Sequence, residues 1–190
     1  MRTTQILVTF GIAVLMTGCV PTLSLHPLFT DKDSAFDPAL LGAWAETESS
    51  EDTFIFQRSQ DKANGYELTI SENGVPARFE ARLVRLGDHA FLDVAPQVPD
   101  LKNETYLLHL LPFSHTFSRI RVEGDVLRVA TLKSDWVKEM IDRKKVKIGH
   151  QSLEDVILLT APTETLRKFA MQYAENDQAF SITTELHRRK

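Results

Sequence analysis

Apolar residues occupy every second position over two stretches of the chain, Tyr66–Ile70 and Ala77–Leu83. A period of two is typical of β-strands that have one buried and one solvated face. Dipeptides that favour hairpin turns, such as Asn64-Gly65 and Asn73-Gly74, separate such stretches from one another. The pattern continues over most of residues 44–132, and it predicts a series of antiparallel strands there.

Eight strands are predicted before the pattern changes. Within the predicted strand 105–112, residues Tyr106 to Leu111 are apolar on both faces apart from His109, which indicates that this strand is covered on its outer side as well. The apolar positions change parity between Phe117 and Ile120, and we expect a β-bulge there. The predicted strands are residues 43–48, 53–58, 66–71, 77–86, 89–94, 105–112, 116–123 and 126–132.

The C-terminal part carries two helical patterns, a candidate short strand at Val156–Leu159 between them, and one more strand at the end. Ser134 is expected to cap one helix, and Thr163 a second helix whose apolar residues recur at spacings of three and four. Phe180 begins a last alternating segment. Together these elements predict a mainly β (α+β) fold, an antiparallel up-and-down barrel of about eight strands with two C-terminal helices. Closing the sheet into a barrel removes the exposed edges that favour aggregation.

The N-terminus has the parts of a secretory signal. Arg2 is followed by an apolar run over Ile6–Met16, and the small residues Thr17 and Gly18 precede Cys19. The run is too short to cross about 30 Å of hydrocarbon as a permanent helix. We therefore expect export and cleavage between Gly18 and Cys19, with an uncleaved anchor helix as the alternative.

The segment Leu15-Met16-Thr17-Gly18-Cys19 resembles the lipobox of bacterial lipoproteins. The resemblance implies a diacylglycerol thioether on Cys19, cleavage before this residue and acylation of its amino group. Acyl chains would then hold the protein at a membrane. Met16 stands where the family more often has Leu, and an ordinary signal peptide with an incidental cysteine is the alternative.

Two neighbouring observations refine this expectation. Cys19 is the only cysteine of the chain, so no internal disulfide can form. In lipoproteins of Gram-negative bacteria, an Asp after the lipidated cysteine often retains the protein at the inner membrane. Val20 at that position implies the periplasmic face of the outer membrane, if the host is Gram-negative.

Composition and length set the organisation of the rest. The chain has 190 residues and a formal net charge of −4, and a mildly acidic surface does not favour nucleic acid. We divide it into a signal peptide at 1–18, a lipidated cysteine with a tether at 19–36, and a single domain at 37–190. Leu28 and its apolar neighbours indicate that part of the tether packs on the domain.

The segment Asp37–Trp44 resembles the start of a lipocalin or related calycin. That family has a short helix, then Gly-x-Trp opening the first strand of an up-and-down barrel, and a helix near the C-terminus. The resemblance implies that Gly42 lets the backbone turn into the strand and that Trp44 closes one end of the barrel. Ala45 stands where the family usually has an aromatic residue, and only Arg128 offers itself as the late arginine that packs across the tryptophan. A small β-sandwich or half-barrel with helices on one face is the alternative.

No catalytic motif is found in the sequence. It lacks a Gly-x-Ser-x-Gly elbow, a phosphate-binding loop, a dinucleotide fingerprint and a His-Glu-x-x-His helix. His89 and His109 lie on predicted strands and His115 directly precedes one, but their parity does not place them on one face, so we expect no metal site. We therefore expect no enzyme activity and no cofactor.

Two functions fit these expectations. In the first, the barrel interior binds a small apolar or amphipathic molecule, because about eight strands leave room for either side chains or one ligand. In the second, the barrel is a solid scaffold and its outer surface binds an envelope protein, with the basic loop around Lys144, Lys145 and Lys147 exposed. The candidate ligand-lining residues of the first function are the inward-facing Phe79, Ala81, Leu83, Leu92, Leu108, Leu110, Ile120 and Leu127.

Overall fold

The computed structural model describes residues 22–30, 33–97, 114–153 and 156–189. The predicted signal peptide, Cys19 and the predicted strand 105–112, with Leu108, His109 and Leu110, lie outside these residues. The helices are a 3-10 helix at Pro38–Leu40, α1 at Ser134–Asp142 and α2 at Thr163–Tyr173. The strands are β1 Leu23–Ser24, β2 Ser34–Ala35, β3 Gly42–Ala45, β4 Thr53–Arg58, β5 Gly65–Glu72, β6 Val75–Leu86, β7 His89–Pro96, β8 Thr116–Glu123, β9 Val126–Leu132, β10 His150–Leu153, β11 Val156–Leu159 and β12 Phe180–Arg188.

Strands β3 to β9 and β12 form a closed antiparallel barrel. Each strand from β3 to β9 pairs with the next one along the chain, and β12 closes the circle by pairing with both β9 and β3. The predicted fold class, an up-and-down barrel with two helices, is confirmed. The identity of the eighth strand differs from the prediction: it is the C-terminal strand, which returns to β3 after α1, β10, β11 and α2.

The two ends of the barrel differ in what covers them. We call one the helix end, where the 3-10 helix lies beside the turns at Gly87-Asp88 and Gly124-Asp125. The opposite end carries the turn at Asn73-Gly74 and the last residue of β9, Leu132. Because strands alternate in direction around an up-and-down barrel, successive turns fall at alternate ends.

The barrel wall separates two hydrophobic cores. One fills the interior with inward side chains that include Trp44 and Leu127. The other lies between the outer wall and the helices, where Phe91 and Phe117 meet Trp136 and other helical side chains. A wall that is buried on both faces produces apolar residues at both parities along its strands.

This double burial explains the change of parity in β8. Phe117 belongs to the outer core and Ile120 to the interior, and the pairing of β8 with both neighbours is in continuous register. The β-bulge predicted there is therefore wrong. The register of the barrel shifts instead in β12, between Ile182 and Thr184.

The outer layer consists of α1, α2 and a small sheet in which β11 pairs in parallel with β1 and antiparallel with β10. The predicted caps differ from the observed ones. Lys133 and Pro162 occupy the N-cap positions, so Ser134 and Thr163 are the first helical residues, and neither cap residue accepts a hydrogen bond through its side chain. The hydroxyl of Thr163 instead donates to the carbonyl of Pro27 at 2.7 Å.

The N-terminal segment crosses the outer wall from the opposite end to the helix end. Its first described residue, Thr22, donates its backbone N–H to the carbonyl of Leu132 at 3.2 Å. Leu28 is fully buried in the outer core, and β2 pairs with β6 near the helix end. The expected packing of the tether on the domain is thus present over its described part.

None of the helices in the described part of the chain is long and apolar enough to cross a membrane.

Candidate ligand-binding cleft

The 3-10 helix closes one end of the barrel through a small set of hydrogen bonds. The carboxylate of Asp37 accepts the N–H of Ala39 at 2.9 Å, and Pro38 needs no partner at the first helical position. The hydroxyl of Tyr66 accepts from the Asp37 N–H at 2.7 Å and donates to its carbonyl at 3.0 Å. Because Tyr66 is an inward residue of β5, it ties the start of the helix to the barrel interior.

Trp44 lies under this helix and is fully buried. Its indole Nε1 donates to the carbonyl of Leu40 at 2.9 Å, and the guanidinium of Arg188 lies 4.2 Å from its ring centroid. Arg188 is therefore the late arginine that packs across the tryptophan. The assignment of this role to Arg128 is wrong, because Arg128 points outward from β9 and pairs with Glu123 and Glu185.

Gly42 fits this arrangement for two physical reasons. Its φ of +116° is a conformation that side chains rarely adopt, and a Cβ at this position would lie 2.8 Å from Nη1 of Arg188. The Gly-x-Trp pattern thus marks a place where the first strand passes close beneath an arginine from the last strand.

The predicted ligand-lining residues that the structure describes share the interior cluster. Ala81, Leu83, Leu92, Ile120 and Leu127 are buried there, and Phe79 is partly buried against them. Leu108 and Leu110 lie outside the described residues. Large interior side chains, Trp44, Phe56, Tyr66 and Leu68, occupy the same cluster, so much of the barrel is filled by its own side chains.

A cleft of about 560 Å³ opens at the helix end. Its apolar floor includes two of the predicted lining residues, Leu83 and Ile120, together with Leu40, Ala90 and Val122. Its rim is charged and was not predicted. The rim side chains include Asp37, Arg85, Asp88, His89, Arg119, Arg121, Arg128 and Glu175.

Strand pairing explains why the wall is open at this place. The pairing of β7 with β8 ends at Ala90 and Ile120. Strand β8 continues to Glu123, but these last residues pair only with β9. Strand β8 therefore extends beyond the end of β7, and the barrel interior is accessible from the side at this place. The sequence carries no signal for this opening, because the turn at Gly87-Asp88 limits β7 without fixing its register against β8.

The arginines of the rim are all engaged with other groups. Arg85 lies 3.5 Å from Asp37, Arg121 lies 2.7 Å from Glu123, and Arg119 contacts both Asp177 and the carbonyl of Ala174. Hydrogen bonds from Arg128 to Glu123 and to Glu185 raise the pKa of its guanidinium above the ordinary value. On the remaining side, His89 lies 3.3 Å from Glu175.

These pairings balance the charge of the rim. The cleft therefore offers an apolar floor beneath polar groups of both signs, which suits an amphipathic molecule better than a simple anion.

A buried Asp93 lies apart from the cleft, on the outer face of β7. Its Oδ2 accepts the N–H of Leu28 at 2.6 Å, and its Oδ1 shares a hydrogen bond of 2.6 Å with Nδ1 of His115. This pair holds the N-terminal segment against the wall. Within the described ranges no three His, Cys, Asp or Glu residues come together as a metal site, and His109 lies outside those ranges.

A second, smaller cleft of about 160 Å³ lies between the loop after α1 and helix α2. We call it the basic cleft, because Lys145, Lys147 and Lys168 line it and no carboxylate does so. Val146, Ile148 and Phe169 form its buried base. It differs from the larger cleft in that its cations have no ion-pair partner among the described residues.

Comparison of the chain with models of protein families, with curated proteins and with solved structures finds no match.

Proposed function

We propose that this protein is a lipid-anchored bacterial envelope protein that binds a small amphipathic molecule in the cleft at the helix end of its barrel. The proposal covers binding and no catalytic step. The observation that carries it is the cleft itself, which joins the apolar floor around Leu83 and Ile120 to a charge-balanced rim. Acyl chains on Cys19 would supply the membrane anchor, and Val20 favours the outer membrane of a Gram-negative host.

The shape of the site supports a ligand with two unlike parts. About 560 Å³ lies within the range that is usual for small-molecule sites. An apolar tail over Leu40 and Val122 would be removed from water, and burial of each methylene contributes about 0.8 kcal/mol. A polar head would remain at the rim beside Arg85 and Asp37, where it can exchange hydrogen bonds with water.

The binding proposal is tested with the soluble chain from residue 20 onward and a fluorescent fatty-acid probe. We expect Ala90→Phe to lower the affinity for the probe at least tenfold, because Ala90 lines the cleft and the new ring occupies its volume. Ala77→Phe is the matched control, since Ala77 is exposed on β6 and lies outside the cleft. Probe binding that is unchanged by Ala90→Phe, in a variant with native thermal stability, would contradict the proposal.

Native mass spectrometry of the same soluble chain identifies the class of ligand. We expect a co-purifying small molecule that is released only on denaturation. A clean mass of the protein alone, together with no uptake of the probe, would indicate a barrel whose interior serves only as a core.

The anchor is tested separately in the full chain. We expect incorporation of palmitate and recovery in the membrane fraction, and both should be lost in Cys19→Ala because the thiol is the site of attachment. Palmitate labelling that persists in Cys19→Ala would contradict lipidation at this residue.

The basic cleft favours a second candidate function, the binding of an acidic envelope protein to the outer surface. Lys145, Lys147 and Lys168 present a local positive charge on a chain whose net charge is −4. Exchange of Lys145 and Lys147 for Glu should then abolish crosslinking to that partner, whereas Lys62→Glu in the loop between β4 and β5, which is outside the basic cleft, should not. Crosslinking that both variants retain would contradict this candidate.

A further inference from the structure

The anchor is joined to the domain by a short piece of chain. Thr22 is already fixed to the wall, because its N–H bonds to the carbonyl of Leu132 at the opposite end. Three peptide units separate Cys19 from Thr22, and such a length reaches at most about 10 Å. Leu132 therefore lies within roughly 15 Å of the Cα of Cys19, which would carry the acyl chains.

The residues that follow Thr22 are also fixed to the domain, so the short segment between Cys19 and Thr22, which we call the leash, cannot lengthen. Ser24 and His115 exchange backbone hydrogen bonds of 2.8 and 2.7 Å, and the N–H of Leu25 donates to Leu159 at 2.8 Å. Farther along, Leu28 is buried and held by Asp93. Release of this segment would break all of these contacts together and expose Leu28 to water.

The cleft lies at the other end of the barrel. Strand β9 runs from the helix end to Leu132 in seven residues, which corresponds to about 20 Å of strand and, at the usual tilt of barrel strands, to about 16 Å of height. Arg128 on the rim belongs to the beginning of this strand. The floor residues Ile120 and Val122 pair with Val129 and Leu127, three and five residues before Leu132. The floor of the cleft therefore lies towards the helix end, on the far side of the barrel wall from the end that the anchor segment reaches.

We propose that the lipidated protein stands with its opposite end against the bilayer and its cleft turned away, so that the cleft exchanges its ligand with the aqueous compartment and not with the anchoring leaflet. This inference rests on the proposed lipidation of Cys19. The opposite end carries the exposed acids Glu46, Glu48, Glu51 and Asp52, which disfavour insertion below the headgroups. Contact therefore stays at the level of the headgroups.

The single native cysteine makes the orientation measurable. Once Cys19 is a thioether, an added cysteine is the only free thiol, so it can carry one fluorophore. The lipidated chain is placed in nanodiscs of phosphatidylethanolamine and phosphatidylglycerol that contain a headgroup-linked quencher. Labels go on Val75→Cys at the opposite end, on Asp61→Cys at the helix end and on Lys147→Cys at the basic cleft, all of which are exposed positions.

We expect the label at Val75 to be quenched several-fold more strongly than the labels at Asp61 and Lys147. Insertion of ten Gly and Ser residues after Val20 should remove the difference, because a flexible leash of that length spans roughly 20 Å and lets the domain turn over. Strongest quenching at Lys147 would show a pose with the basic cleft on the bilayer. That result, strongest quenching at Asp61, or equal quenching at all three positions would overturn the inference.

Failure of the anchor is visible before the orientation is measured. A chain that takes up no palmitate and does not float with vesicles contradicts the proposed lipidation, and the orientation falls with it. A chain that floats but shows the wrong order of quenching overturns the orientation alone.

Discussion

The guanidinium of Arg188 lies 4.2 Å from the ring centroid of Trp44 and donates from Nη2 to the carbonyl of Ala39 at 2.7 Å. A second nitrogen of the same group donates to the carbonyl of Leu41. The last strand of the barrel thereby holds both the first strand and the 3-10 helix that precedes it. The contact joins residues near the two sequence termini of the domain, the first and the last strand of the barrel.

Substitution of Arg188 by Ala should lower the free energy of unfolding by about 2–3 kcal/mol, since it removes a cation–π contact and charged hydrogen bonds to two carbonyls. The measurement is urea unfolding followed by tryptophan fluorescence. Arg128→Ala is the matched control, and it should change stability little because its partners Glu123 and Glu185 are solvent-accessible. Equal losses in the two variants would contradict the role that we give to Arg188.

Gly42→Ala should destabilise the barrel more than Gly74→Ala. At Gly42 the φ of +116° and the clash with Arg188 act together, whereas a Cβ at Gly74, with φ +75°, meets nothing within 4 Å. We expect the free energy of unfolding to fall by about 2–3 kcal/mol in Gly42→Ala and by about 1 kcal/mol in Gly74→Ala. Comparison of urea midpoints tests the order, and an equal effect would show that the approach of Arg188 adds nothing to the backbone strain.

Tyr66→Phe should lower the free energy of unfolding by about 1–2 kcal/mol, because the partly buried N–H of Asp37 loses its hydrogen-bond acceptor. Tyr173→Phe provides the control, since the hydroxyl of Tyr173 accepts only an exposed bond from Gln172. Both proteins are compared by urea unfolding at pH 7. An equal decrease of the free energy of unfolding in Tyr173→Phe and Tyr66→Phe would show that the hydrogen bonds between the Tyr66 hydroxyl and Asp37 do not stabilise the fold.

Ionisation of Tyr66 should also lower the stability of the protein at alkaline pH. Burial is the main cause that raises the pKa of the Tyr66 phenol above its ordinary value of 10.0. As the pH rises past about 10, the unfolded chain loses this proton first, so the free energy of unfolding decreases until the folded phenol also ionises. Unfolding measured between pH 9 and pH 12 should show a smaller decrease in Tyr66→Phe. An identical decrease in both proteins would contradict the assignment.

Asp93→Ala should loosen the N-terminal segment. The substitution leaves the N–H of Leu28 and the ring of His115 without their buried partner, at an expected cost of about 2–3 kcal/mol. Hydrogen exchange of the amides of Ser24, Leu25, His26 and Leu28 should accelerate more than exchange in the barrel. Asp88→Ala, at an exposed turn, should leave these amides protected, and protection that survives Asp93→Ala would show that backbone pairing alone holds the segment.

Much of the barrel was predictable because strand patterns are local. The bounds of β4 and β9 match the prediction residue for residue, since the period of two and the Gly-containing turns are written in neighbouring residues. The same pattern misled at β8, where Phe117 and Ile120 face two different cores. The alternation of apolar and polar residues indicates which residues share a face of a strand. It does not indicate whether one face or both faces of that strand are buried.

The candidate site was predictable only in part. The inward residues Leu83 and Ile120 were found from parity, and both line the cleft. The rim was missed because it combines Asp37, Arg85, Arg121 and Glu175 from distant parts of the chain. The sequence by itself determined strands β4 to β9, the turns between them where they are tight, and the Gly-x-Trp opening, because each depends on the conformational preferences of adjacent residues.

Only the tertiary structure decided that Arg188, and not Arg128, contacts Trp44. It also decided that the barrel wall is open where β8 extends beyond the end of β7. Both depend on the register of strands that are far apart in the chain. Register is set by the closure of the whole barrel and by the packing of its two cores, which no short stretch of sequence contains.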